Sequence, residues 1–172
     1  MRIPRPALPL LLILGTACAS GGASEIAMLP EGRGIKMYTA IATAVPVSPD
    51  SAYRLLIRVY TLLELPMVSV DAKRAVGNDE LKVRRRIAGL PMQDVLDCGE
   101  KLGLQNAETW DIHMNLLSYV NADPAGGSQV LTRVQATGSR PEGSSLRQTP
   151  CATKGELEKK IGEMVTKLAA GN

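Results

Sequence analysis

Two alternating runs in the middle of the chain constrain its fold more than any other feature. From Thr109 to Val120, Trp110, Ile112, Met114, Leu116 and Val120 share one side, and Asp111, His113, Asn115, Leu117 and Tyr119 fall between them. A side-chain period of two belongs to a strand with one buried face. Asn121-Ala122-Asp123-Pro124-Ala125-Gly126-Gly127 is dense in turn formers. From Ser128 to Thr137 the alternation resumes, with Val130, Thr132, Val134 and Ala136 against Leu131, Arg133, Gln135 and Thr137. Such a stretch makes an antiparallel hairpin, and something must cover its apolar face.

Two helical segments supply that cover. In the first, Ser48 is a suitable N-cap, Pro49 fits the first helical position and Asp50 suits the positive end of the dipole. Ala52, Leu55, Leu56, Val59, Leu62 and Leu63 then recur at helical spacing until Pro66. In the last segment, Thr153-Lys154-Gly155-Glu156 has capping-box spacing. Leu157, Ile161, Met164, Val165 and Leu168 form its stripe. The chain has no Phe and only 3% aromatic residues, so aliphatic side chains and Met must build the core.

The remaining strands are shorter. Ile35, Met37, Thr39, Ile41, Thr43 and Val45 alternate with Lys36, Tyr38, Ala40, Ala42 and Ala44. The alanines offer a small face that suits close approach of a helix. Met67 to Ala72 reads as a strand, Val76-Gly77-Asn78-Asp79 as a turn, and residues 79–88 as a second strand. Residues 89–108 read as a connector with one or two helical turns between Pro91 and Leu96. No internal repeat is visible.

The first nineteen residues read as an address rather than as structure. Arg2 and Arg5 precede an apolar run from Leu8 to Leu14, and Gly15, Thr16, Ala17, Cys18 and Ala19 follow. This is the three-part pattern of an export signal. Leu14-Gly15-Thr16-Ala17-Cys18 resembles the lipobox of bacterial lipoproteins, with Gly15 where a Leu is usual three places before the cysteine. The resemblance implies lipidation at Cys18, and Ala19-Ser20 after the cysteine implies sorting to the outer membrane. Cleavage after Ala17-Cys18-Ala19 by the ordinary signal peptidase is the alternative. Residues 20–33 read as a flexible tether, and residues 34–170 as a single domain. Removing Arg2 and Arg5 with the leader leaves 18 basic and 17 acidic side chains. The mature net charge is then +1, against +3 for the whole chain.

Either cleavage leaves two cysteines, Cys98 and Cys151. In an oxidising compartment a separated pair reads as a disulfide. Closing a loop of about 54 residues stabilises by roughly 4 kcal/mol in the chain-entropy view.

The elements run β-α-β-β, a short helical stretch, then β-β-α. The expected fold is α+β: an antiparallel sheet of about five strands with two main helices on one face, in a helix-grip-like arrangement. That order, together with the anchor, is similar to the small domains of the outer-membrane assembly lipoprotein BamC. No residue motif accompanies the likeness.

Candidate chemistry is sparse. One His excludes a multi-His metal cage, and no metal or cofactor is expected. No phosphate-binding Gly-rich loop or serine nucleophile elbow appears. Asp111 and His113 share a strand face and could form half a metal site or an acid–base pair; two solvated side chains is the simpler reading. Asp94 and Asp97 have a spacing that suits one helical face. The densest charge is Lys82, Arg84, Arg85 and Arg86, with Lys73 and Arg74 nearby. Strand alternation puts Lys82, Arg84 and Arg86 on one side, a basic face suited to an anionic headgroup or an acidic partner, or simply a solvated edge. Few aromatics interleave with it, which disfavours nucleic acid.

These features point to a non-enzymatic envelope lipoprotein held to the membrane by its N-terminal anchor and binding an envelope protein partner. A carrier of small ligands or lipids is the alternative. A periplasmic hydrolase fits least.

Overall fold

A computed structural model describes residues 40–70, 74–141 and 148–171. The leader, the tether and the Ile35–Thr39 part of the first expected strand lie outside them. The long hairpin is the centre of the fold. Strands β9 (Asp111–Ala122) and β10 (Ser128–Ser139) pair antiparallel along their whole length, from Ala122 opposite Ser128 to Asp111 opposite Ser139. In the turn, Asp123 Oδ1 accepts the Ala125 N–H at 2.9 Å, and Gly126 and Gly127 take positive φ.

The chain order of the elements begins with β1 (Ala40–Val45), α1 (Pro49–Leu62), β2 (Val68–Val70) and β3 (Ala75–Val83). Two small units follow: β4 (Arg86–Ile87), β5 (Leu90–Pro91), α2 (Met92–Val95) and β6 (Leu96–Asp97), then β7 (Glu100–Lys101), β8 (Leu104–Gln105) and α3 (Asn106–Thr109) leading into β9. After β10 come β11 (Thr149–Thr153) and α4 (Glu156–Ala169). The fold is α+β, and the main sheet runs β2-β3-β9-β10-β11-β6. β1 shares the outer edge of β10 with β11: β1 pairs with Ser128–Arg133 and β11 with Ala136–Gly138. All these pairings are antiparallel.

Both long helices cover the same face of the sheet. α1 lies over β9 and β10, α4 lies over β1 and β10, and the two helices touch. Ser48 caps α1 as expected, its hydroxyl accepting the Ser51 N–H. At the other end Glu64 takes φ 54, Leu65 N–H reaches the Tyr60 carbonyl and Glu64 N–H reaches that of Thr61. That double bond pattern closes the helix without the usual glycine. Of the expected stripe, Ala52, Leu56, Val59 and Leu63 are buried and Leu62 is exposed; Tyr60 takes a core place instead. In α4, Leu157, Ile161 and Val165 are fully buried, and Met164 and Leu168 pack at the margin.

The capping box does not form. Gly155 is the N-cap of α4, with φ 82 and no side-chain cap bond. The Thr153 hydroxyl accepts the Gly155 N–H at 3.1 Å and donates to Glu158 at 2.7 Å. A positive-φ glycine immediately before the helix redirects the chain, so the hydroxyl meets Glu158 rather than Glu156.

The helix does not approach the alanine face of β1. α4 packs on the Ile41–Thr43–Val45 side, and the close contact is made by a glycine of the helix. A Cβ at Gly162 would overlap the Thr43 hydroxyl, and one at Gly155 would stand 2.8 Å from Ile41 Cδ1. The small residue that permits proximity belongs to α4, not to the strand.

The expected turn at Val76–Asp79 is also absent. Val70 pairs with Ala75, so the chain reverses before Val76, and residues 76–79 run inside β3. Gly77 marks close backbone approach: a Cβ there would overlap the Leu116 carbonyl oxygen. A bulge between Asn78 and Leu81 shifts the register against β9, and Asn78 Oδ1 accepts the Glu80 N–H across it.

The connector holds a repeated unit that the sequence hides. Residues 86–97 and 100–111 each form a two-residue hairpin, a four-residue helical turn and a strand. Each hairpin turns through two positive-φ residues: Ala88 and Gly89 (50° and 77°), then Leu102 and Gly103 (55° and 77°). Only Gly, Leu and Asp recur at equivalent places. The first copy buries Ile87, Met92, Val95 and Leu96, whereas the second leaves Leu102 92% and Leu104 61% exposed.

A disulfide joins Cys98 and Cys151, as expected. It ties the end of the first small unit to β11, beside the strand pairing of Leu96–Asp97 with Ala152–Thr153.

Candidate functional site

β3 ends at Val83, and the backbone then folds tightly through three arginines. The Arg86 N–H bonds to the Arg84 carbonyl at 2.8 Å across Arg85, whose φ is 67°. This is a γ-turn of the positive-φ kind, rare and strained for a residue with a side chain. Two contacts hold it. The Met92 N–H reaches the Arg85 carbonyl at 2.7 Å, and Arg86 pairs with Pro91 across β4 and β5.

The turn opens one wall of a cleft of about 460 Å³. Arg84, Arg85 and Arg86 line it together with Pro91 of the first small unit and Glu108 and Thr109 of the second. Among the described residues, three arginines and one glutamate therefore line the same cleft. Arg84 Nε lies 3.6 Å from Asp111 Oδ1, with both side chains about half exposed, so water weakens the attraction. Arg86 Nη2 donates to the Gly89 carbonyl at 3.1 Å. The Arg85 side chain has no hydrogen bond or ion pair among the described residues. The arrangement holds positive charge with unused donors, the chemistry of an anion site.

The sequence-predicted basic face is thus partly regrouped. Arg84 and Arg86 meet in the cleft. Lys82 is exposed on β3 opposite His113 and does not line the cleft. Arg85 joins them, although alternation sends it to the other side. The signal lay in that conflict. Leu81, Val83 and Ile87 occupy the apolar positions of the pattern, so Arg85 at the same parity predicts an arginine in the core. Breaking the strand at Arg84 is cheaper than burying the charge.

The other candidates separate. Asp111 and His113 do share the sheet face away from the helices, but the carboxylate of Asp111 turns to Arg84, and His113 stands between Lys82 and Thr137 in the neighbouring strands. Asp94 and Asp97 do not share a helical face, because α2 ends at Val95 and Asp97 Oδ1 accepts the Gly99 N–H at 2.8 Å. Among the described residues no three His, Cys, Asp or Glu side chains group as metal ligands. Among them, no helix is long and apolar enough to cross a membrane. Cys18 lies outside the described residues.

Sequence reasoning missed two buried polar features. Tyr60, Ser118 and Thr132 link their hydroxyls inside the core, at 2.9 and 2.8 Å. Glu158 is 1% exposed; one oxygen accepts the Thr153 hydroxyl and Oε2 has no hydrogen-bond partner among the described residues. Burial raises its carboxyl above the usual range, against the pull of the Thr153 hydrogen bond.

No protein family, curated protein or solved structure matches this chain.

Proposed function

We propose that this is an exported, lipid-anchored protein of the bacterial outer membrane, facing the periplasm, whose domain has a non-enzymatic binding or assembly role. The Cys98–Cys151 disulfide is the observation that carries the reading, because such bridges persist in oxidising compartments. It agrees with the leader at residues 1–19 and the lipobox-like Cys18. The arginine cleft supplies a surface for an anionic partner, held on a scaffold that the bridge stiffens.

The carrier reading is second. It needs a space between the helices and the sheet, where Leu56, Val59, Ile161 and Val165 are fully buried and Gly162 brings α4 against Thr43. Catalysis is least favoured, since His113 lies on the sheet face and not among the cleft residues.

Intact mass of the protein extracted from native membranes tests the proposal. Acyl groups on Cys18 are expected. An unmodified chain beginning at Ser20 would overturn the anchor.

A further inference from the structure

We propose that the cleft at Arg84–Arg86 binds a phosphate group, carried by a small soluble molecule or by a lipid headgroup. The inference deepens the binding role proposed above and rests on it, but not on export or anchoring.

Three consecutive arginines on a strand would project to alternate sides. Here the γ-turn at Arg85 breaks that alternation and all three residues line one cleft, at the expense of a backbone conformation that side chains disfavour. The like charges repel one another, and Glu108 is the one carboxylate in the lining among the described residues. Asp111 compensates Arg84 weakly from a half-exposed position. An anion would offset that charge.

Phosphate fits better than carboxylate. A guanidinium presents a planar fork of donors that matches two phosphate oxygens, and several forks can hold one phosphate from different sides. A carboxylate has two oxygens and is satisfied by a single arginine. A phosphate monoester also carries nearly two negative charges, which outweighs repulsion from Glu108. At about 460 Å³ the cleft lies in the range of small-ligand pockets and leaves room for the group that bears the phosphate, against Pro91 and Thr109.

Calorimetry on the full mature chain in detergent tests this with three probes: glycerol 3-phosphate, dihexanoyl phosphatidic acid below its micelle concentration, and succinate. One or both phosphates should bind, and succinate at least tenfold more weakly. Binding of both places the determinant in the phosphate alone; binding of the lipid only assigns the source to a headgroup. Arg86→Gln should weaken binding at least tenfold. Arg85→Asn should do the same while tolerating the positive φ, so the loss is not that of a collapsed turn. Arg58→Gln, on the exposed side of α1, should leave affinity unchanged. Absence of binding to both phosphates, equal binding of succinate, or equal weakening by Arg58→Gln would overturn the proposal. None of these outcomes depends on Cys18, so failure here is distinct from failure of the anchor.

Discussion

The Tyr60 hydroxyl stands 2.9 Å from Ser118 Oγ, across 58 residues of chain and wholly inside the core. Ser118 in turn lies 2.8 Å from Thr132 Oγ1, its partner across β9 and β10. The string fastens α1 to the two central strands at one lateral position, which apolar contacts alone would leave free to slide. Tyr60→Phe removes the helix from that string and leaves Ser118 and Thr132 to satisfy each other. A loss of about 1–2 kcal/mol in urea unfolding is expected. A change of a few tenths would show that the hydroxyl does not fasten the helix. Burial also holds the phenol well above its ordinary pKa of 10.0. The fold favours the neutral form, so this stability is present below the ordinary phenol pKa and is lost as pH rises above it.

Glu158 predicts a second pH dependence, in the acid range. Its folded pKa lies above the ordinary value of 4.5, with burial the main cause. As pH rises past that value, the unfolded chain releases the proton first, and stability falls until the folded group also ionises. Glu158→Gln keeps an acceptor for the Thr153 hydroxyl and removes the titration. The variant should lose less stability than the wild type as pH rises above 4.5. Thermal melts that run parallel for the two proteins over that rise would contradict the assignment.

Gly162 predicts a steric effect. Alanine in mid-helix normally gains roughly 1 kcal/mol over glycine. Here the added methyl collides with Thr43, so Gly162→Ala should destabilise by about 1–3 kcal/mol despite that gain. Adding Thr43→Ala should recover part of the loss. Independent, additive effects of the two substitutions would mean that they do not meet.

Much of the architecture was legible because strand and helix periods read directly as faces. The Ile112–Val120 and Val130–Ala136 alternations became the buried side of β9 and β10. Leu157, Ile161 and Val165 became the buried stripe of α4. The disulfide was legible as cysteine arithmetic. The site was legible only as charge: Arg84 and Arg86 were singled out, but with Lys82, which stays on the sheet.

By itself the sequence determined the α+β class, the central hairpin, the two helices and the Cys98–Cys151 pair. These follow from side-chain period, local turn chemistry and parity, all of which act over a few residues. Tertiary structure decided where glycines permit contact, which face of β1 receives α4, and how three arginines converge. Those outcomes depend on surfaces brought together from distant parts of the chain. Gly77 looks like a turn until Leu116 lies against it, and Arg85 looks like the inward side of a strand until the Met92 N–H holds its carbonyl in the turn.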